Sequence, residues 1–424
     1  MVGVLFGVLV VSLIIGVPVG FAIGISCMAF LMTSDISAVI LVQKMTDGVS
    51  SFTMMALPMF MLSGAIMAYG SSPRLMRLAR LILGKVPGGV GAAGCAALGF
   101  FGAVSGSGVA STAAVGGIMG PEMVKDGYGK GITASLMAAG GAMASLIPPS
   151  LVMVVYGASA GASIGAMFLA GIIPGLLTIG GLIALIMFLA KRRNYPTGYQ
   201  ETTGREKVQI VLDALLPLMM PVIILGGVMS GTFTPTESAV VATVYAFLLA
   251  VFVYKELTLK QFVQVAAQSA VSSAVILLII SSASPLGWIL AVKNIPQSFT
   301  SWLLDISSNP VVITSMITLL LLILGTFMET VSIIILMTPI LLPIMVSLGM
   351  TPIQFGIVLL MNTAIGSLTP PLSVCLFTGC RIVGIRVEES FPDILYVIGV
   401  VFVVLLITIG IPEASTFLPG VLLP

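Results

Sequence analysis

Long apolar runs, interrupted by short charged or glycine-rich stretches, make up most of this chain. The opening run, residues 1–32, is broken at Gly16-Val17-Pro18, and a second run covers about 51–70. A basic segment holding Arg74, Arg77, Arg80 and Lys85 predicts a separate helix after it. A Gly/Ala/Ser-rich stretch over 88–121 follows, then spans at about 132–156 and 162–190. Polar residues from Lys191 to Asp213 divide the halves. The second half predicts spans near 214–231, 236–254 and 262–292, then a polar helix near 296–308. A stretch at 310–345 and spans near 352–380 and 393–418 complete it. Apolar runs of this length read as membrane helices, so the predicted class is an all-α polytopic membrane protein.

Two of these runs carry the same defect. Ser145-Leu146-Ile147-Pro148-Pro149 and Ser367-Leu368-Thr369-Pro370-Pro371 lie 222 positions apart, and at that offset Val109 matches Val331, Pro121 matches Pro343, Ala142 matches Ala364 and Gly157 matches Gly379. Proline lacks a backbone donor and clashes with the preceding turn. In hydrocarbon such a break persists only where protein or a water-filled cavity satisfies the freed groups. Matched breaks in two halves point to a transporter's binding site. The chain therefore divides into a first repeat, 1–190, a linker, 191–213, and a second repeat, 214–424.

Charge placement sets the topology. If 88–121 and 310–345 each dip in and return as re-entrant hairpins, every basic residue of the 17 except Lys44 and Lys293 falls on one side. Full crossings would scatter them, against the bias of Lys and Arg toward cytoplasmic loops. The expected architecture is thus an inverted repeat with two re-entrant helical hairpins and two broken helices. Whether residues 2–32 cross once or twice stays open. They lack a basic leader and a cleavage site, so they read as a retained membrane segment.

Composition agrees, with 58% apolar and 8% charged residues and a mean hydropathy of +1.21. A net charge of +2 gives no reason to expect nucleic acid as a partner, and the lipid bilayer is the expected surrounding. The absence of histidine excludes Ser-His nucleophilic catalysis and His metal sites, so no enzyme is expected. Cys27, Cys95, Cys375 and Cys380 lack metal spacing and read as small core residues.

The chemistry then rests on few positions. The first hairpin tip falls within 102–112, where Ser105 and Ser107 and unwound carbonyls offer hard oxygen ligands for a small cation; close packing of small residues is the competing reading. The second tip falls at 325–331, where Glu329 corresponds to Ser107. An intramembrane carboxylate is a functional candidate, and it also suits the start of a helix at Thr330. The broken helices place Gly140, Gly141, Ser145 and Pro148 opposite one tip, and Asn362, Thr363, Ser367 and Thr369 opposite the other. Glu237, in Thr234-Pro235-Thr236-Glu237, reads mainly as a helix cap.

Four segments carry a family resemblance: Ser105–Val115 (SGSGVASTAAV), Ile147–Ser150 (IPPS), Gly231–Ser238 (GTFTPTES) and Asn362–Pro371 (NTAIGSLTPP). Together they resemble the large membrane subunit of tripartite ATP-independent periplasmic (TRAP) transporters, over essentially the whole chain, with the texture of a sialic acid member. The resemblance implies sodium-coupled import of a small organic anion by an elevator motion, multi-pass in the bacterial inner membrane. It implies two partners, a small membrane subunit and a periplasmic substrate-binding protein. It also implies Na+ as coupling ion, with Ser105, Ser107, Gly141, Gly325, Glu329, Thr330 and Thr363 as its ligands, and Ser145, Pro148, Asn362, Ser367 and Thr369 toward substrate. Many members have aspartate where this chain has Glu329. A stand-alone sodium–dicarboxylate carrier of the same superfamily is the alternative, although neither tip has the Ser-Asn-Thr such carriers tend to use. An intramembrane serine protease is disfavoured by the missing histidine, and no Walker A motif is present.

Overall fold

The computed structural model describes residues 2–197, 203–307, 309–371 and 373–423, and every regular element among them is helical. The first half contains α1 (Val2–Ile14), α2 (Val19–Met32), α3 (Val39–Val49), α4 (Ala56–Leu83), α5 (Gly89–Ser105) and α6 (Gly108–Lys125). It continues with α7 (Lys130–Ala144), α8 (Leu151–Ala160) and α9 (Ile164–Arg193). The second contains α10 (Gly204–Met229), α11 (Pro235–Leu248), α12 (Leu259–Val292), α13 (Ile295–Ile306), α14 (Pro310–Phe327) and α15 (Thr330–Ser347). It ends with α16 (Pro352–Gly366), α17 (Val374–Val383), α18 (Asp393–Gly410) and α19 (Glu413–Leu422). Among the described residues, eight helices are long and apolar enough to cross a membrane. The polar stretch 191–213 is helical at both ends, and residues 198–202 within it lie outside the described residues.

The repeat is visible residue by residue. Subtracting 222 from the bounds of α15 and α16 returns those of α6 and α7. The pairs α5–α6 and α14–α15 are the two hairpins, and α7–α8 and α16–α17 are the two broken helices. α14 and α15 each have 18 residues, enough to cross alone. Yet each hairpin tip lies against the break in its neighbouring helix. A methyl group on Gly108 would sit 3.0 Å from the Gly141 oxygen, and one on Gly325 would sit 3.0 Å from Gly366 Cα. A broken helix that spans the bilayer has its break at mid-depth, so the hairpins turn there and return.

The two halves interlock. α6 packs against α17 as well as α7, and α15 packs against α8 as well as α16. A methyl on Gly120 of α6 would sit 3.0 Å from Ile382 of α17, and Tyr156 of α8 donates to the Pro352 oxygen of α16 at 2.6 Å. Each hairpin thus holds a half-helix from the other repeat. Beside this block, α4 packs on α10 and α11, while α12 packs on α2, α3 and α4.

One expectation changes, and two other segments gain detail. The span at 51–70 and the basic helix after it meet within α4 as expected, at a break where Tyr69 is extended (φ −75°, ψ 114°) and Gly70 has φ 83°. Glycine alone adopts that backbone without strain. Arg74 closes the elbow: its guanidinium donates to the Gly70 oxygen, meets Glu256 at 3.0 Å and lies 3.8 Å from the Tyr254 ring centre. Residues 2–32 form two helices of 13 and 14 residues packed on each other, each too short to span about 30 Å of hydrocarbon. The single span expected at 393–418 splits at Ile411, which is extended (φ −124°, ψ 90°) before Pro412.

Candidate functional site

The first tip is built from a glycine and a serine. α5 stops at Ser105, Gly106 turns the chain with φ 63°, and Ser107 caps α6 by accepting from Ala110 N at 3.5 Å. Ser111 Oγ lies 2.8 Å from Ser105 Oγ and donates to Ser107 O at 2.8 Å, while Thr112 donates to Gly108 O at 3.0 Å. Gly141 of α7 comes close because it has no side chain: a methyl there would overlap Thr112 Oγ1 and lie 2.9 Å from Gly108 O. Ser105, Ser111, Thr112 and the carbonyls of Ser107, Gly108 and Gly141 form one oxygen-rich cluster. The hydroxyl protons of Ser111 and Thr112 point to carbonyls, which leaves oxygen lone pairs for a cation.

At the second tip Glu329 caps α15, and one carboxylate oxygen accepts from Val331 N at 3.1 Å and Ser332 N at 3.3 Å. The capping role read from the sequence is seen here, and the same carboxylate borders a cavity. Behind it, Gly325 and Gly366 touch backbone to backbone, and a methyl on Gly366 would overlap Gly325. Asn362 is fully buried, and its amide donates to Val358 O at 2.8 Å. Its Oδ1 has no hydrogen-bond partner. An unpaired buried amide oxygen is costly unless something electropositive meets it.

Both tips and both breaks surround a cavity of about 450 Å³. Ser107, Gly108 and Val109 line it from one hairpin, and Gly325, Glu329, Thr330 and Val331 from the other. Ser145 and Ser367 line it from the breaks, each donating back to its own helix, Ser145 to Ala142 O at 2.6 Å and Ser367 to Ala364 O at 2.7 Å. A second cavity of about 390 Å³ shares Met61, Gly106, Ser107 and Leu151 with the first and adds Ser63, Tyr69, Ser105, Gln268, Ser269 and Ser272. It runs along α4 toward the Arg74 end and along α12 toward the Lys260 end, the basic ends of both helices.

The remaining expected residues sit otherwise. Gly141 belongs to the first-tip cluster and not to the cavity wall. Asn362 is one layer behind the wall, under the second tip. Thr363 is buried and donates to Leu360 O, Thr369 donates to Ile365 O, and Pro148 is buried within its break; none of the three lines the shared cavity. Glu237 makes a capping box with Thr234, accepting from its backbone N–H at 2.8 Å, as read from the sequence. Two residues escaped the sequence reading. Ser150 and Ser373 each precede a resumed half-helix, are 1% exposed, and have hydroxyls without a partner. They stand 223 positions apart, so the 222-residue register pairs neither with the other.

At the basic end, outside the membrane-spanning helices, Tyr128 stacks on Tyr195 with ring centres 4.3 Å apart. Burial pushes the Tyr128 phenol up to about 12. Arg193 bonds Asp393 at 2.8 Å and so ties α9 to α18.

Comparison with known proteins agrees with this architecture. The family model for the DctM component of the tripartite ATP-independent periplasmic transporter matches residues 6–414. The chain is 35% identical over 425 residues to the sialic acid TRAP transporter large permease protein SiaM of Vibrio cholerae, covering 100% of this chain and 99% of that one. It is 33% identical to the C4-dicarboxylate large permease DctM of Rhodobacter capsulatus, with 99% of each chain covered. It is 38% identical to the isethionate permease protein DctMQ of Oleidesulfovibrio alaskensis, matching 98% of this chain but only 66% of that longer relative. The crystal structure of the Alcanivorax borkumensis YdaH transporter shares the fold at a TM-score of 0.59, with 15% identity and 88% of each chain covered. With two hairpins, two breaks and this match along nearly its whole length, the chain belongs to the DctM family of TRAP transporter large permeases.

Proposed function

We propose that this chain is the sodium-coupled membrane carrier of a TRAP system, importing a small organic anion across a bacterial inner membrane. The observation that carries this reading is the cavity bordered by both hairpin tips and both helix breaks, with Glu329 in its wall. Its partners would be a small membrane subunit and a periplasmic substrate-binding protein, consistent with the tripartite family description. The printed names of relatives span isethionate, sialic acid, C4-dicarboxylate and 2,3-diketo-L-gulonate.

Residues of both tips fit a sodium ion. One candidate cluster joins Ser105, Ser107, Gly108, Thr112 and Gly141, where hard oxygens converge. The other joins Gly325, Glu329 and Asn362, whose orphaned Oδ1 a cation would satisfy. Thr330 stands at the mouth of the second, while Thr363 lies farther along its helix. A bound cation would offset the Glu329 charge and make the cavity receptive to an anion. Ser145 and Ser367 offer it polar walls, with Asn362, Pro148 and Thr369 shaping the breaks behind them.

The interlocked hairpins and broken helices form the block that would move as an elevator against α4 and α10–α12. The cavity between them extends toward the basic ends, which corresponds to a cytoplasm-facing state under the positive-inside rule. The test is uptake into proteoliposomes containing all three components, driven by an imposed sodium gradient. Uptake that proceeds equally in potassium removes the coupling ion from this reading, and uptake without the binding protein favours the stand-alone carrier.

A further inference from the structure

A cavity of about 560 Å³ lies behind the second hairpin and shares no lining residue with the cavity at the tips. α14 forms one wall and the C-terminal half of α18 another, while Met345, Met350 and Gln354 close it from α15, α16 and the turn between them. α18 begins at Asp393, which pairs with Arg193 on the basic side, so the Gly410 end of the cavity lies at the opposite membrane face. Val311, Leu319 and Leu406 on its rim are exposed, and the mouth therefore opens to the bilayer.

The wall is apolar apart from a few groups, and three of these have no hydrogen bond. Ser315 donates back to Val311 O at 2.7 Å, as helical hydroxyls commonly do. Thr314 and Thr318 are 9% and 7% exposed, and their hydroxyls make no such bond within the chain. Gln354 is 3% exposed. Its two amide protons go to Thr408 O at 3.1 Å and Ile409 O at 3.3 Å, carbonyls left over where α18 ends. That leaves Oε1 as an acceptor without a donor. Unmet polar atoms in an apolar wall are costly, and a mainly apolar pocket with a few convergent polar groups is the usual form of a small-molecule site. Among the described residues lining this cavity none is charged, so an ionised ligand would be desolvated with nothing opposite to it. Polarity is graded along the cavity: Gln354 and Thr314 stand at the surface end, Thr318 a turn deeper, Leu322 and Phe402 deepest.

We infer that this cavity is a second ligand site, taking a neutral single-chain amphiphile from the leaflet away from the basic ends. Its hydroxyl-bearing head meets Gln354 Oε1 and the two threonine hydroxyls, and its alkyl chain lies along α14 toward Leu322. From Thr314 to Leu322 the helix rises about 12 Å, the reach of a decyl chain. The test is photocrosslinking of the full-length chain in phosphatidylcholine nanodiscs with a diazirine-bearing monodecanoylglycerol, followed by peptide mapping. Label should be recovered from α14 and α18. Unlabelled monodecanoylglycerol should compete at least about tenfold better than decane, which has no head, or decanoate, whose charge finds no partner. Thr314→Val with Thr318→Val keeps the side-chain shape; it should weaken monodecanoylglycerol about tenfold, equivalent to one or two hydrogen bonds. The same double variant should leave competition by decane within about twofold, and the melting temperature without ligand equal or higher. Leu322→Trp, which blocks the deep end and retains both hydroxyls, should abolish the label. Decane or decanoate competing as well as monodecanoylglycerol reduces the cavity to a groove for any acyl chain and overturns the inference. Label unchanged in the double variant, or spread evenly over the lipid-facing helices, overturns it too.

Discussion

Ser107 and Glu329 occupy the same place in two hairpins, each capping the second arm, and both border one cavity. The neutral residue and the acidic one perform the same local task. Capping therefore does not explain why one of them is charged. Glu329→Gln keeps an oxygen acceptor for Val331 and Ser332 and removes the charge. We expect it to leave folding intact and to raise the sodium concentration needed for half-maximal uptake by at least about tenfold, ~1.4 kcal/mol. Sodium titration of uptake in proteoliposomes measures this, and an unshifted curve removes Glu329 from the ion site.

Asn362 provides an independent reading of the same ion. A ligand that binds only the folded chain raises its melting temperature by mass action. Sodium should stabilise the wild-type protein over choline, and Asn362→Ala should lose most of that difference because the orphaned Oδ1 is gone. A thermal-shift series in the two salts is sufficient. An equal sodium effect in the variant would place the ion elsewhere.

Glycines in this chain are not equivalent. At Gly366 an added methyl overlaps the Gly325 backbone, which has no side chain to move aside, whereas at Gly117 it meets nothing within 4 Å. Gly366→Ala should destabilise by about 1–3 kcal/mol through overpacking and disturb the second tip. Gly117→Ala should be neutral or gain up to about 1 kcal/mol from helix propensity. Melting of the two purified variants in detergent separates them. Equal behaviour would mean the Gly325–Gly366 contact is not formed.

The direction in which the cavity extends is also measurable. In a background with the four buried cysteines replaced, Gln268→Cys should react with a membrane-impermeant thiol reagent from the side bearing Arg74 and Lys260. Labelling confined to the opposite side would contradict a cytoplasm-facing state.

Much of this was legible in the sequence because proline and glycine act locally. Pro148-Pro149 and Pro370-Pro371 located both breaks, and the turn between α5 and α6 falls inside the Ser-Gly window 102–112 read as the first tip. Charge counting located the hairpins because basic residues cluster on one face. The boundary near Gly70 was legible, but the contacts Arg74 makes there with Tyr254 and Glu256, far along the chain, were not. Thr363 and Thr369 were read as ligands from their place on the broken helix and the family resemblance; in the structure their hydroxyls turn back to the Leu360 and Ile365 carbonyls, which sequence alone does not reveal. Ser373 was missed because the register slips by one residue across the break.

The exchange of half-helices between repeats has a consequence for biosynthesis. α6 leaves the ribosome long before α17, its packing partner, exists: roughly 250 residues separate them, tens of seconds at about 5–20 residues per second. During that interval the newborn first hairpin must wait unmated in or beside the insertion machinery. A truncated chain ending at the linker should accordingly be a substrate for quality-control proteolysis rather than a half-sized carrier.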